Sequence, residues 1–172
     1  MRVVLNMTTT LNSMAARSND STAVFERGEY PMFIEMARRT GALIWGRRTH
    51  EIVRTYGPGA FGAFDGIGRI VMTHDADYQL EEGWSVGTSP EQALATLAAS
   101  GIDAALVGGG GTTNASFIRS GLVDEVVMFI ESVLLGNGVP AFAAADYELR
   151  LDLLEAERVD KDLVKLRYAV RK

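Results

Sequence analysis

The sequence predicts an α/β domain on a mostly parallel sheet that closes with an antiparallel hairpin, and three observations carry that expectation. Short apolar, β-branched runs alternate with segments of three- and four-residue apolar spacing, as when strands buried on both faces alternate with helices. Four consecutive glycines, Gly108 to Gly111, stand between one such strand and the next helix. The end of the chain changes to strict alternation, the pattern of an antiparallel pair.

The elements follow in order. Arg2 to Met7 is a continuous apolar strand, and the polar stretch Asn12 to Gly28 reads as a long loop, a kind of segment that is often functional in compact domains. Tyr30 to Arg39 carries Phe33, Ile34, Met36 and Ala37 at helical spacing and stops at Gly41. Ala42 to Trp45 is a second strand closed by Gly46, and Thr49 to Arg54 a short helix. Gly57 to Gly68 is a glycine-rich loop, followed by strands at Arg69 to Thr73 and Trp84 to Val86. Ser89-Pro90-Glu91-Gln92 opens a helix to about Ser100, with serine as cap, proline in the first turn and Gln92 completing a capping box. Ala104 to Val107 is the next strand, Thr112 to Ser120 a helix and Glu125 to Ile130 another strand. Glu148 to Arg158 and Leu163 to Arg171 form the hairpin, with Leu149, Leu151 and Leu153 on one face. The whole of 1–172 is expected to form one domain. Phe33, Met36, Phe117 and Ile118 are assigned to its core.

Composition narrows the chemistry. With Cys 0 and His 2, no zinc site of cysteine and histidine can be built, no thiol catalysis is available, and no metal site is expected. The three lysines, Lys161, Lys165 and Lys172, all lie in the tail, so no glycine-rich stretch carries the lysine of a P-loop. Few acids and bases remain, which favours a cofactor that brings the reactive atom. The net charge of −5 argues against nucleic acid as partner. No apolar run approaches a membrane span, and no signal peptide is evident, so the expected location is the cytoplasm.

Three predicted strand ends have anion-binding character. Gly108, Gly109, Gly110 and Gly111 let a ligand approach the backbone, and the following helix start, with Thr112 and Thr113, offers N–H and hydroxyl donors to a phosphate. Gly46-Arg47-Arg48-Thr49 lies at a second strand end, where guanidinium forks suit a phosphate monoester. Thr73-His74 lies at a third, while His50 is expected on a helix surface. Ligands of open α/β sheets bind at such carboxyl ends. A ligand with more than one phosphate fits, and NADPH would place its 2′-phosphate near Arg47 and Arg48.

These motifs, taken in order, resemble the dihydrofolate reductase-like superfamily, and most closely the C-terminal reductase domain of the bacterial riboflavin-biosynthesis deaminase-reductase. The resemblance is carried by Thr10-Leu11-Asn12-Ser13-Met14-Ala15, Gly46-Arg47-Arg48-Thr49, the Gly108 to Gly111 run, Ser120-Gly121-Leu122-Val123-Asp124-Glu125, and Leu134 through Phe142. It implies an eight-stranded sheet with flanking helices, NADPH as hydride donor and a homodimer. The Leu122 to Gly138 region itself is assigned to sheet core, with an exposed portion expected at a dimer interface. The resemblance also implies that the glycine run and the Gly46 to Thr49 turn hold the cofactor, that Thr73 and His74 flank its adenosine end, and that the nicotinamide lies near Thr9 to Ala16, with Thr9 and Leu11 beside it.

The departures from the pattern concern the substrate. Asn12-Ser13-Met14 stands where riboflavin-pathway reductases usually carry Asp-Gly-Lys, and Gly108 stands where they usually carry glutamate. Folate reduction requires a buried acid in the first-helix region, for which Glu35 and Asp20 are the candidates by position. Asn12 and Glu35 are therefore the candidate catalytic residues. The leading expectation is an NADPH-dependent reductase like that for 5-amino-6-(5-phosphoribosylamino)uracil. Dihydrofolate reduction and a non-catalytic NADPH-binding module are the alternatives.

Overall fold

β1 (Arg2–Thr10) lies inside the sheet because its first half is apolar on both faces: Val3 and Leu5 are fully buried and Val4 nearly so. It pairs in parallel with β6 (Ala104–Val107) on one side and β7 (Glu125–Glu131) on the other. Beyond β6 come β3 (Ala42–Gly46), β4 (Gly68–Met72) and β5 (Ser85–Gly87), all parallel. Beyond β7 come β10 (Leu163–Val170) and β9 (Leu151–Arg158), both antiparallel to their neighbours. The eight-stranded order is β5-β4-β3-β6-β1-β7-β10-β9. The structure, a computed structural model, describes residues 1–25 and 28–172.

Helices cover both faces. α1 (Tyr30–Thr40) packs Phe33, Ile34 and Met36 against Leu43, Trp45 and Leu106 on one side. α3 (Pro90–Ala99) and α4 (Gly111–Arg119) pack Leu94, Leu97 and Phe117 against Val3, Ile44 and Val107 on the other. α2 (Arg47–Arg54) follows β3 without a break and extends its apolar Val53 into the α1 side of the core. Among the described residues, no helix is long and apolar enough to cross a membrane.

Local signals set most boundaries. Gly41 takes a left-handed φ of 76° and its N–H closes on Ala37 and Arg38, ending α1. Ser89 caps α3 by accepting the Gln92 N–H, while Gln92 accepts from the N–H of Thr88, one residue before the usual capping-box donor.

Long-range pairing moves the other boundaries. β1 runs three residues past Met7, because Thr8, Thr9 and Thr10 pair with Phe129, Ile130 and Glu131. The expected loop from Asn12 contains β2 (Met14–Ala16), which pairs with β8 (Val139–Pro140) in a separate two-stranded sheet. α2 starts at Arg47 rather than Thr49, since helical bonding begins as soon as β3 ends. The terminal hairpin has a register shift beside Arg167, so that Leu153 faces Tyr168 but Glu155 faces Arg167. That extra residue breaks the alternation, and Leu153, expected on an inward face, is 58% exposed.

A candidate nucleotide and substrate cleft

The carboxyl ends of β1, β3 and β6 meet at one rim, and a cavity of about 710 Å³ opens there. Sheet order reverses at this rim, because β6 is inserted between β1 and β3, and such switch points leave a crevice above the strands. The cavity extends from the glycine run and the start of α2, past β1, to the loop before α1 and to α1 itself.

At one end the wall is backbone. The Gly46 N–H donates to the Gly109 carbonyl at 2.7 Å, and the Gly108 N–H to the Ile44 carbonyl at 2.8 Å, so β3 and the glycine run are fastened together. The Gly109–Gly110 peptide is cis, and Gly109 has φ 89°. A Cβ on Gly111 would lie 2.6 Å from the Pro140 carbonyl oxygen, and one on Gly46 would lie 2.5 Å from the Thr113 hydroxyl. A Cβ on Gly110 would meet nothing nearer than the Thr49 hydroxyl at 3.4 Å. Much of the glycine signal thus serves protein packing, and Gly110 is the glycine whose free side faces the cavity. The N-caps of α2 and α4 are Gly46 and Gly110, neither of which offers a side-chain cap. Two helix starts with uncapped N–H groups therefore border one cavity, as anion binding requires.

Arg47 and Arg48 stand at the same end and both are engaged by carboxylates. Arg47 meets Asp75 at 3.1 Å and Glu51 at 3.6 Å. Arg48 donates from Nε and Nη2 to one oxygen of Asp20, at 2.9 and 2.6 Å. Asp20 has φ 65° and lines the cavity together with Thr22 and Tyr56, whose hydroxyls meet at 3.0 Å.

Along the rest of the cavity the wall is made of side chains. Phe25, Tyr30 and Phe33 contribute rings, Ile52, Val53 and Ala60 aliphatic surface, and Glu29 a carboxyl group. Glu29 is 9% exposed, and its Oε2 is buried without a hydrogen-bond partner among the described residues. It sits immediately before Pro31 and Tyr30 as the N-cap of α1, yet its side chain makes no cap bond.

The candidate residues divide accordingly. Gly46, Arg47, Arg48, Thr49, Gly108, Gly110, Gly111, Thr112 and Thr113 all line the cavity. Thr9, Leu11, Thr73, His74 and Gly109 do not. Thr9 is buried in β1, Leu11 is 64% exposed, and the Thr73 hydroxyl accepts the Asp75 N–H. His74 is exposed.

Neither candidate catalytic residue lines the cavity. Asn12 is occupied in a clamp: its amide donates to the Leu135 carbonyl at 2.7 Å and accepts from the Leu135 N–H at 3.2 Å. This joins the β1 turn to the segment before β8. Glu35 has a 69% exposed side chain and faces Arg39 at 4.0 Å, on the outer side of α1. Asp20, the other acid offered by position, does line the cavity, where it is paired with Arg48, and Glu29 is a second acid of the lining. The available sequence signal was its place at the start of a proline-opened helix.

His50 also departs from expectation, since it is fully buried. Its ring stacks on Phe61 at 4.8 Å and meets Trp84 edge-on at 4.8 Å. Nδ1 lies 3.0 Å from the Tyr78 hydroxyl, and Nε2 lies 2.9 Å from Glu81, off the line of a good hydrogen bond. Burial pushes the imidazole below its usual value, against the pull of Glu81. Burial would raise Glu81, but the hydrogen bond from Arg54 and the facing imidazole bring it below the usual carboxylate range. The ring and the Tyr78 hydroxyl share a hydrogen bond while Nε2 faces Glu81, and these contacts fix α2 to the segment between β4 and β5.

The eight-stranded sheet, the β6 insertion and the cleft above it define a dihydrofolate reductase-like fold. The sequence profile of the RibD C-terminal domain matches residues 1–165, and the chain belongs to that family. A candidate riboflavin biosynthesis protein from Shewanella sp. PV-4 superposes with TM-score 0.81 at 21% identity, over 100% of both chains. RibD from Acinetobacter baumannii gives 0.77 at 18% identity, with 99% of this chain covering 58% of that one. Dihydrofolate reductase from Enterococcus faecalis, in complex with NADP(H), gives 0.72 at 18% identity over 99% and 97% of the two chains. No curated protein matches the chain in sequence.

Proposed function

We propose that the chain is an NADPH-dependent reductase that delivers hydride to a C=N or C=O of a small ring-bearing or ribosylamino-type substrate. The observation that carries this reading is a single cavity with an anion-binding backbone at one end and a buried carboxyl group among aromatic rings at the other. The cofactor fits the residues present. The uncapped starts of α2 and α4 and the open side of Gly110 suit its pyrophosphate, with Thr49, Thr112 and Thr113 as further donors. Arg47 and Arg48 suit a 2′-phosphate. When bound, the nicotinamide supplies a hydride.

The chain's own contribution is placement. The fastened backbone of β3 and the glycine run holds one reactant, and the rings of α1 and the preceding loop hold the other and exclude water. Membership of the RibD C-terminal domain family and the riboflavin-pathway neighbours support 5-amino-6-(5-phosphoribosylamino)uracil as the first substrate to assay, with dihydrofolate as the second.

Fluorescence titration of Trp45, which lines the cavity, tests the cofactor half. NADPH is expected to bind more tightly than NADH. Replacing Arg47 and Arg48 together by alanine should weaken NADPH by roughly ten- to a hundredfold and leave NADH almost unchanged. Equal losses for the two cofactors would remove the arginines from the phosphate site.

A further inference from the structure

We infer that the substrate half of the cavity takes a cationic imine, a ring carrying an iminium group with apolar flanks and no phosphate, and that Glu29 recognises its charge. The inference rests on the reductase reading and narrows its substrates to ring imines without a phosphate, which makes turnover of 5-amino-6-(5-phosphoribosylamino)uracil alone the opposing outcome.

Glu29 is 9% exposed, and no donor among the described residues reaches its Oε2. A carboxylate drawn out of water without a partner carries a desolvation cost that a cationic N–H donor offsets. The surrounding wall favours the same ligand. Phe33 lies one helical turn beyond Glu29 on the same face, Tyr30 stacks on Phe33 at 6.4 Å, and Phe25 completes the ring wall. Aromatic faces attract cations through their quadrupole.

The position is also suited to reduction. The Phe33 ring packs on Gly108, where a Cβ would lie 3.0 Å from it, so the carboxyl end of the cavity adjoins the glycine run directly. The charges facing a phosphate are unfavourable there. Among the described residues lining the cavity the cations are Arg47 and Arg48, and both are already paired with carboxylates, Asp75 and Asp20. A phosphate-bearing substrate would bring a second negative group toward Glu29.

An iminium is also the form of C=N that accepts hydride most readily. One hydride adds to the imine carbon, the π pair becomes the nitrogen lone pair, and the positive charge passes to the nicotinamide. The product is a neutral amine, and the step needs no separate proton donor. This agrees with a cavity that contains neither lysine nor histidine among its described lining residues.

Benzamidine, a planar cation, and benzamide, its neutral near-isostere, are the probes, titrated against the whole chain with and without NADP⁺. Benzamidine is expected to bind at least about tenfold more tightly than benzamide, and Glu29→Gln should equalise the two. NADP⁺ affinity should be the same in the variant and the parent. Equal binding of both probes to the parent chain, or a preference that survives in Glu29→Gln, would overturn the inference. So would ribose 5-phosphate displacing benzamidine at comparable concentration. In turnover, dihydroisoquinoline should consume NADPH, whereas consumption only with a phosphoribosylaminopyrimidine would contradict the class. Failure to bind NADP(H) at all would count against the reductase reading alone, because the amidine preference is measured without cofactor as well.

Discussion

The two ends of the cavity are built from different materials. At the β3 and glycine-run end, backbone packs on backbone, and side-chain contacts of Gly46 and Gly111 are closed off by neighbouring atoms at 2.5–2.6 Å. Beside α1, the wall consists of side chains on that helix and the loop leading into it, with Ile52, Val53 and Ala60 from α2 and the loop that follows it. A backbone wall changes little when side chains change, so it suits a constant ligand such as a cofactor. A side-chain wall can be altered one residue at a time, and it suits the ligand that differs between relatives.

The largest effect is expected where the backbone wall is forced apart. Gly111→Ala places a methyl group against the Pro140 carbonyl and should cost about 1–3 kcal/mol or more in urea unfolding. Nucleotide affinity should fall with it. A variant of unchanged stability would show that the contact relaxes and that this end is less rigid than described.

His50 comes next, since it ties α2 to the segment before β5. Its value in the folded protein lies below the 6.5 of a free imidazole. Folding therefore favours the neutral ring, and this contribution is complete above pH 6.5 and is lost as the pH falls below it. His50→Gln removes the titration, so its unfolding free energy should vary less between pH 7.5 and about 5 than that of the parent. Parallel pH curves would exclude the imidazole as the source of the dependence.

A smaller effect is expected from Asp20→Asn. The variant frees Arg48 from an exposed ion pair worth about 0–1 kcal/mol. NADPH affinity should rise by no more than about fivefold, with little change for NADH. A loss of affinity would mean that Asp20 positions Arg48 for the phosphate.

The smallest effect belongs to Glu35. Glu35→Gln should change stability by less than about 0.5 kcal/mol and leave the binding of both benzamidine and NADPH as it was. An effect comparable with that of Glu29→Gln would reverse the assignment of the two acids.

How much of this the sequence revealed depends on the range of the interaction involved. The parallel strands, the Gly41 stop and the Ser89 cap are written in neighbouring residues, and each was legible. The β2–β8 pair joins segments more than a hundred residues apart, so neither strand has a local signal. The bulge beside Arg167 reverses the facing of the hairpin residues without altering their alternation in sequence. The anion-binding turn was legible from its glycines and arginines, although packing accounts for more of the glycines than a phosphate does. The substrate acid was not. Glu29 and Glu35 flank the same helix, and helical geometry places them on different faces, but only the cavity shows which face is inward. His50 appears among charged neighbours in sequence, and its burial comes from Phe61, Tyr78 and Trp84 in later segments.

The central claim is that one continuous cavity holds cofactor and substrate side by side, with the cofactor on the backbone wall and the cation beside Glu29. An interligand nuclear Overhauser measurement on the chain with NADPH and benzamidine both bound tests it directly. The account predicts cross-peaks between the C4 hydrogens of the nicotinamide and the ring hydrogens of benzamidine, lost in Glu29→Gln. Simultaneous binding of both ligands with no such cross-peak would place them in separate sites and contradict it.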